Sequence, residues 1–370
     1  MELWVFDANE NEALGIVESC ERVSIVRKYD EPGRIEFVTA LGVLDDRSRL
    51  APGQLVWPKG GEEAFIIEAV GMEQRYGGVE LNVKGRTLTA LLGRRCLPDA
   101  GYYSGKAGFV VRRLCEDVFG DKGRRFPRWS MAEGDGLGED VEYVTAGETL
   151  LDAVVEICKG SGLGVRTAFD PARCEMRLEL YEGEDRFDEG VVEQVVIDPE
   201  FDSLAGLKAV DSVEGYANVV YVIGEKDAQS GVARKVVVDG RQEAIGERVE
   251  GLERFERAVR FSGGSVTDGA GSAIGKPPGS AGGSVQLTNA QYQGAMRAYA
   301  KGVIRAGERG VEVAGTVEYA KRTMGAELRL GDIVRVRARR WGVDAASRVR
   351  ALEERYAGGA QSRLAQMGAL

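Results

Sequence analysis

Ala64-Phe65-Ile66-Ile67-Glu68-Ala69-Val70 and Val79-Glu80-Leu81-Asn82-Val83-Lys84 stand on either side of Gly77-Gly78. Both runs are rich in β-branched and apolar residues, and a glycine pair tolerates the positive φ values that a primed two-residue turn demands. The stretch therefore reads as a long β-hairpin. Upstream, Arg34-Ile35-Glu36-Phe37-Val38-Thr39 alternates polar and apolar side chains, as a strand with one buried face should. No strong helical period precedes the Thr87–Leu92 turn, so residues 1–93 are expected to form a first β domain, packed as a small barrel or sandwich.

Residues 94–185 change character. In Phe109–Phe119, Val111, Cys115 and Val118 share one helical stripe and Gly120 follows as a stop. A second helix is expected over Glu148–Lys159, where Leu151, Val154, Val155 and Cys158 recur at helical spacing and Gly160 supplies a C-cap. Leu163, Val165, Thr167 and Phe169 then alternate along one strand, Asp170-Pro171-Ala172-Arg173 turns, and Cys174, Met176, Leu178 and Leu180 alternate along the next. This is an interposed α+β domain.

Strand signals return at Val191–Ile197, Ala217–Gly224 and Ala233–Val238, then at Val311–Tyr319, Asp332–Ala338 and Ser347–Glu353. They define a second β domain over 186–250 and 311–357, interrupted by an insertion at 251–310. Within the insertion, Ser262–Ser284 is almost wholly Gly, Ser, Ala and Pro around Lys276-Pro277-Pro278 and is expected to be a flexible loop, after which Thr288 can cap a helix reaching about Gly302. Residues 358–370 are expected to be a frayed C-terminal tail. The fold class is thus β-rich α+β.

Composition narrows the chemistry. With 370 residues, 44% hydrophobic and 29% charged, the chain is expected to be a folded, soluble protein of several domains. No stretch approaches the roughly 20 apolar residues of a membrane span, and Met1–Asp7 has no export signal, so no membrane anchor is expected. A net charge of −10 argues against specific nucleic-acid binding. Cys20, Cys96, Cys115, Cys158 and Cys174 never fall in a C-x-x-C pair and read as reduced thiols, mostly buried. Histidine is absent altogether, which removes Ser-His-Asp and Cys-His relays and most transition-metal sites, so neither a metal nor a cofactor is expected.

Other motifs read as structure. Lys159-Gly160-Ser161-Gly162-Leu163-Gly164 follows a helix and precedes a strand, the reverse of a phosphate-binding loop. Gly134–Asp140 lacks the carboxylate spacing of a calcium loop. Glu182-Gly183-Glu184-Asp185 and Asp188-Glu189 read as a solvated charge run. Arg335, Arg337, Arg339 and Arg340 alternate with Val334, Val336 and Ala338, which places arginines on one strand face, facing solvent or an acidic subunit surface.

The passage Val79-Glu80-Leu81-Asn82-Val83-Lys84-Gly85-Arg86-Thr87-Leu88-Thr89-Ala90-Leu91-Leu92-Gly93-Arg94-Arg95 resembles the first β domain of the tail hub proteins of long-tailed phages. Leu3–Asp7, Arg34–Phe37, the helix and hairpin from Thr149, Asn218–Val222 and Leu330-Gly331-Asp332-Ile333-Val334 follow in the same order as in that family. The resemblance implies two β-barrel-like domains, each carrying an α+β insertion. It further implies a homotrimeric ring at the distal end of a tail tube, adapting the sixfold tube to a threefold tip. The implied partners are the tail tube or distal tail protein above, a tip or spike protein below and the tape-measure protein in the lumen. The implied location is the virion tail tip, assembled in the host cytoplasm. Arg86, Arg94, Arg95, Arg335, Arg337 and Arg339 are the candidate assembly contacts. A structural, non-enzymatic role is expected; a tail-associated peptidoglycan hydrolase using carboxylates and a monomeric binding module are the alternatives.

Overall fold

The computed structural model describes residues 1–368 apart from positions 8, 10–11, 42–49, 76–77, 100, 146, 188–194, 199–203, 212–215, 227–229, 262–264, 267–285, 307–310 and 319–327. The expected flexible loop at 262–284 lies outside the described residues, except for Ser265 and Val266.

The first β region comprises β1 (Leu3–Asp7), β2 (Glu12–Val17), β3 (Arg22–Lys28), β4 (Arg34–Ala40), β5 (Leu55–Pro58), β6 (Phe65–Arg75) and β7 (Gly78–Thr87). Their order in the sheet is β2-β1-β5-β6-β7-β4-β3. Alternating residues of these strands bury Val5, Ile25, Phe37, Val56, Phe65 and Val83 in one core, each worth about 2 kcal/mol or more of apolar burial. The β6–β7 register pairs Arg75 with Gly78, so the connection is positions 76–77, one residue before the expected Gly77-Gly78; both lie outside the described residues. A side chain at Gly85 would strike the Ile66 carbonyl on the neighbouring strand, which explains the glycine inside β7. The chain then makes a 3-10 turn, Leu88–Arg94, that buries Leu88, Leu91 and Leu92.

The α+β module follows, with β8 (Tyr102–Lys106), α1 (Ala107–Phe119), β9 (Trp129–Met131), β10 (Asp140–Val144), α2 (Leu150–Ser161), β11 (Gly164–Asp170) and β12 (Glu175–Tyr181). In α1 the buried stripe is Val110, Val111, Leu114, Cys115, Val118 and Phe119. Thr149 caps α2 by accepting the Asp152 N–H at 3.1 Å. The left-handed C-cap is Gly162, at φ 68°, two residues beyond the expected Gly160; the helix gains half a turn because Gly160 stays helical and Gly162 takes the positive φ. All eight residues expected to alternate inward along β11 and β12 are buried.

The later strands are β13 (Val196–Ile197), β14 (Leu204–Asp211), β15 (Val219–Lys226), β16 (Ala233–Asp239), β17 (Glu256–Arg260), β18 (Ser265–Val266), β19 (Gln286–Leu287), β20 (Val311–Glu318), β21 (Ile333–Ala338), β22 (Val343–Ala357) and β23 (Ala360–Gly368). Two helices, α3 (Gly240–Ile245) and α4 (Asn289–Ala306), lie among them. Here the expected second β domain divides. β13, β14 and β20–β23 join the large sheet, whereas β15 and β16 pair with β17 in a separate three-stranded sheet. Tyr292, Met296 and Ala300 of α4 pack on Val220, Val222, Val236 and Val238 of that sheet. Strand alternation announces a strand but not its partner, so Ala217–Val238 belongs with the inserted helix and not with the second β region. Thr288 and Gln291 form a reciprocal cap at the start of α4.

The expected tail at 358–370 is also corrected. Gly358 and Gly359 both take positive φ, 57° and 80°, the primed turn that reverses β22 into β23. Ala365 and Met367 are buried there.

The 15-residue β22 joins the two β regions. Its first half, Val343–Arg348, pairs with β21; its second half, Ala351–Ala357, pairs with β3; its other flank pairs with β23. Among the described residues, 13 strands are thereby linked in one sheet that runs from β14 to β2 and does not close into a barrel.

Candidate assembly surfaces and the Tyr29 junction

Three units meet at Tyr29, in the loop between β3 and β4, which is 1% exposed. Its backbone N–H donates to Arg350 of β22 at 2.9 Å, and its carbonyl accepts the Val165 N–H of β11 at 2.8 Å. The hydroxyl donates to the carbonyl of Gly162, the α2 cap, at 2.8 Å and accepts the Gly183 N–H at 3.3 Å. The ring meets Tyr181 edge-on at 5.3 Å, and the Arg348 guanidinium lies 5.2 Å from its centroid. A Cβ at Gly164 or Gly331 would overlap this ring. Leu330-Gly331-Asp332, expected as a turn into a strand, is that turn, with Gly331 at φ 89°.

A buried ion pair lies in the second β region where the last residues of the module meet it. Arg186 and Asp332 are 2% and 1% exposed, with Nε to Oδ2 at 3.4 Å. Asp332 also accepts the N–H groups of Arg329 and Glu184 at 3.1 and 3.2 Å. Burial pushes its carboxyl above the ordinary range against the pull of those donors. The preceding Glu182, Glu184 and Asp185 are exposed, as expected of a solvated run; Asp188 and Glu189 lie outside the described residues.

The seam between the first β region and the module holds Glu63, which is 6% exposed and bridges Ala168. Its carboxylate lies 3.7 Å from Arg27, whose other nitrogen pairs with Glu354 at 3.0 Å. Burial pushes Glu63 up to about 7, outweighing the pull of Arg27 and Arg166.

The six arginines expected to form assembly contacts fall in separate parts of the fold. Arg86 on β7 makes a two-pronged pair with Glu68 on β6 at 2.8 and 2.7 Å. Arg335 on β21 pairs in the same way with Asp344 on β22 at 2.6 and 2.7 Å, holding that carboxyl below its ordinary range, and Arg337 reaches the same Asp344 at 3.7 Å. Arg339 stands past the end of β21, in a 3-10 turn with Trp341, and is exposed. The expected single strand face therefore stops at Arg337, because the strand ends at Ala338. Arg95 lies 4.3 Å from the Phe126 centroid and donates to the Arg124 carbonyl at 2.6 Å, while Arg94 beside it is exposed.

Sequence reasoning passed over Tyr29, Glu63 and Arg186. The signal for Tyr29 was indirect: glycines at 164 and 331, far apart in the chain, both leave room for its ring.

The fold is shared along its whole length with solved tail proteins. Prophage tail protein gp18 from Listeria monocytogenes EGD-e superposes with a TM-score of 0.59 at 12% identity, covering 100% of this chain and 94% of that one. The prophage MuSo2 43 kDa tail protein from Shewanella oneidensis gives 0.57 at 12% identity, with 100% and 98% covered. The tail protein from Neisseria meningitidis MC58 gives 0.55 at 15% identity, with 99% and 95% covered. None of the curated proteins compared matches the sequence significantly. The family model described as Siphovirus ReqiPepy6 Gp37-like protein matches residues 2–368, and the chain belongs to that siphovirus family.

Proposed function

We propose that this chain is the structural hub of a phage or phage-like tail, three copies closing a ring at the distal end of the tail tube. The observation that carries this reading is a repeated plan on one sheet: a β region with an α+β unit, then a second β region with an inserted α+β unit, joined through β22. Each β region is read as a barrel-like domain. Three chains then offer six comparable contacts to a sixfold tube while presenting a threefold tip below, within closed cyclic symmetry.

The same reading puts the tube or a distal tail protein above the ring, a tip or spike protein below and the tape-measure protein in its lumen. It is a structural role and not an enzymatic one, because the buried polar groups at Tyr29, Glu63 and Asp332 are engaged in tying units together. Quantitative mass spectrometry of purified particles tests the stoichiometry. The expected outcome is half as many copies of this chain as of one tube ring's subunits; equal numbers contradict it.

A further inference from the structure

We propose that Arg94, Arg95, Lys122, Arg124 and Arg125 form a docking surface for a carboxylate-bearing face of a second copy of this chain. The inference rests on the ring reading above and adds where two copies touch.

The end of the 3-10 turn and the loop after α1 meet at this surface. Arg95 donates to the Arg124 carbonyl at 2.6 Å, Arg124 donates to the Cys96 carbonyl, and Arg125 donates to the Phe119 carbonyl. The Arg95 guanidinium also lies over Phe126, 4.3 Å from the ring centroid. These contacts fix the guanidinium groups in place and leave their charge uncancelled. Among the described residues none of the five is in an ion pair, whereas Arg86, Arg186, Arg335 and Arg350 each have a carboxylate. The cluster repels itself: Arg95 is pulled below its ordinary range by burial first, then by Arg124 and Arg94.

Arg94, Arg95 and Arg124 crowded without an internal counter-charge, with Lys122 and Arg125 beside Arg124 in sequence, cost stability, and an outside anion restores it through charge-assisted hydrogen bonds. The chain itself supplies such an anion, since it carries 59 acidic against 49 basic side chains. The remainder of its surface is therefore more acidic than the net charge of −10. A head-to-tail ring contact needs two different, complementary patches on each copy, and ring closure brings them together at high local concentration. Nucleic acid would have to approach against the charge of the whole chain.

Lys122 is the amine of the cluster, so a zero-length carbodiimide can join it directly to a facing carboxylate. Assembled particles grown with a mixture of light and heavy isotopes should yield Lys122 joined to Asp or Glu of another copy. The double variant Arg94→Glu, Lys122→Glu changes two exposed side chains and, because it relieves the repulsion on Arg95, should unfold no earlier than the wild type while assembling at least tenfold less. Wild-type assembly by the variant would overturn the proposal. So would Lys122 joined only within its own copy or to a different tail protein, or double-stranded DNA retained by the wild type and released by the variant. A ring of another order with Lys122 still linked between copies sinks the ring reading and upholds this surface; a threefold ring without that link does the reverse.

Discussion

The Tyr29 junction and the Arg94 cluster are both built from arginines, aromatic rings and backbone carbonyls, yet only the first is closed on itself. At the junction, Arg348 covers the Tyr29 ring, Arg350 pairs with Asp30 at 2.7 Å, and Arg186 pairs with Asp332. In the cluster, Arg95 covers Phe126, but neither Arg94 nor Lys122 has a carboxylate among the described residues. The difference separates arginines that hold the chain together from arginines available to another molecule. Residue type alone does not make that distinction; at the junction Arg186 and Arg350 carry a counter-charge and Arg348 is held by the Gly331 carbonyl and the Tyr29 ring.

The largest expected effect is at the junction. Asp332→Ala leaves the buried Arg186 cation with the exposed carboxylate of Glu184, at 3.0 Å, in place of its buried partner. It also removes the acceptor of the Arg329 and Glu184 N–H groups. Removing one partner of a buried pair costs about 3 kcal/mol or more. Chemical denaturation should show that loss. A loss within about 0.5 kcal/mol would mean that the pair is solvated and the contrast with the cluster is false.

Glu63 sharpens the comparison through pH. Its folded-state value of about 7 lies above the ordinary 4.5, so the folded protein holds this proton more tightly than the unfolded chain does. Stability contributed by the protonated carboxyl is full below about pH 4.5 and is lost as pH rises through about 7, by roughly 3 kcal/mol in total. Glu63→Gln should remove that slope and be the more stable form at pH 8, since Arg27 keeps Glu354. Equal slopes in both proteins would contradict the burial account. Glu31, in contrast, is lowered to about 2 by Lys159 and Lys28; its contribution is present above pH 4.5 and fades as pH falls toward 2.

A smaller effect is expected from Gly164→Ala, which pushes a methyl group into the Tyr29 and Tyr181 rings and should cost about 2 kcal/mol by overpacking. In a Tyr29→Leu background the added cost should shrink, because neighbouring substitutions couple. Additive losses would show that Tyr181, which the same methyl group meets, and not Tyr29 sets the cost.

Local features were legible in the sequence. Leu163, Val165, Thr167 and Phe169 alternate because β11 has one buried face, and the pattern needs no knowledge of what covers it. The 3-10 turn after β7 was readable from Leu88, Leu91 and Leu92, which recur at helical spacing and are buried. Pairing between distant segments was not. Nothing within Ala217–Val238 says that its strands join β17 under α4 instead of the large sheet, and nothing within Val343–Ala357 says that its two halves serve different neighbours. Gly358-Gly359 carried the same turn signal as Gly77-Gly78, but its position near the chain end suggested fraying. The counter-ions of Arg86 and Arg335, Glu68 and Asp344, were not legible because they sit on neighbouring strands and not beside them in sequence.

The most direct test of the central claim is a reconstruction of the assembled tail tip with this chain placed in it. Three copies are expected around an axial channel, their β regions forming a quasi-sixfold surface toward the tube and the Arg94 cluster facing an acidic surface of the neighbouring copy. Six copies, one copy, or β regions that present no comparable surfaces to the tube would contradict it.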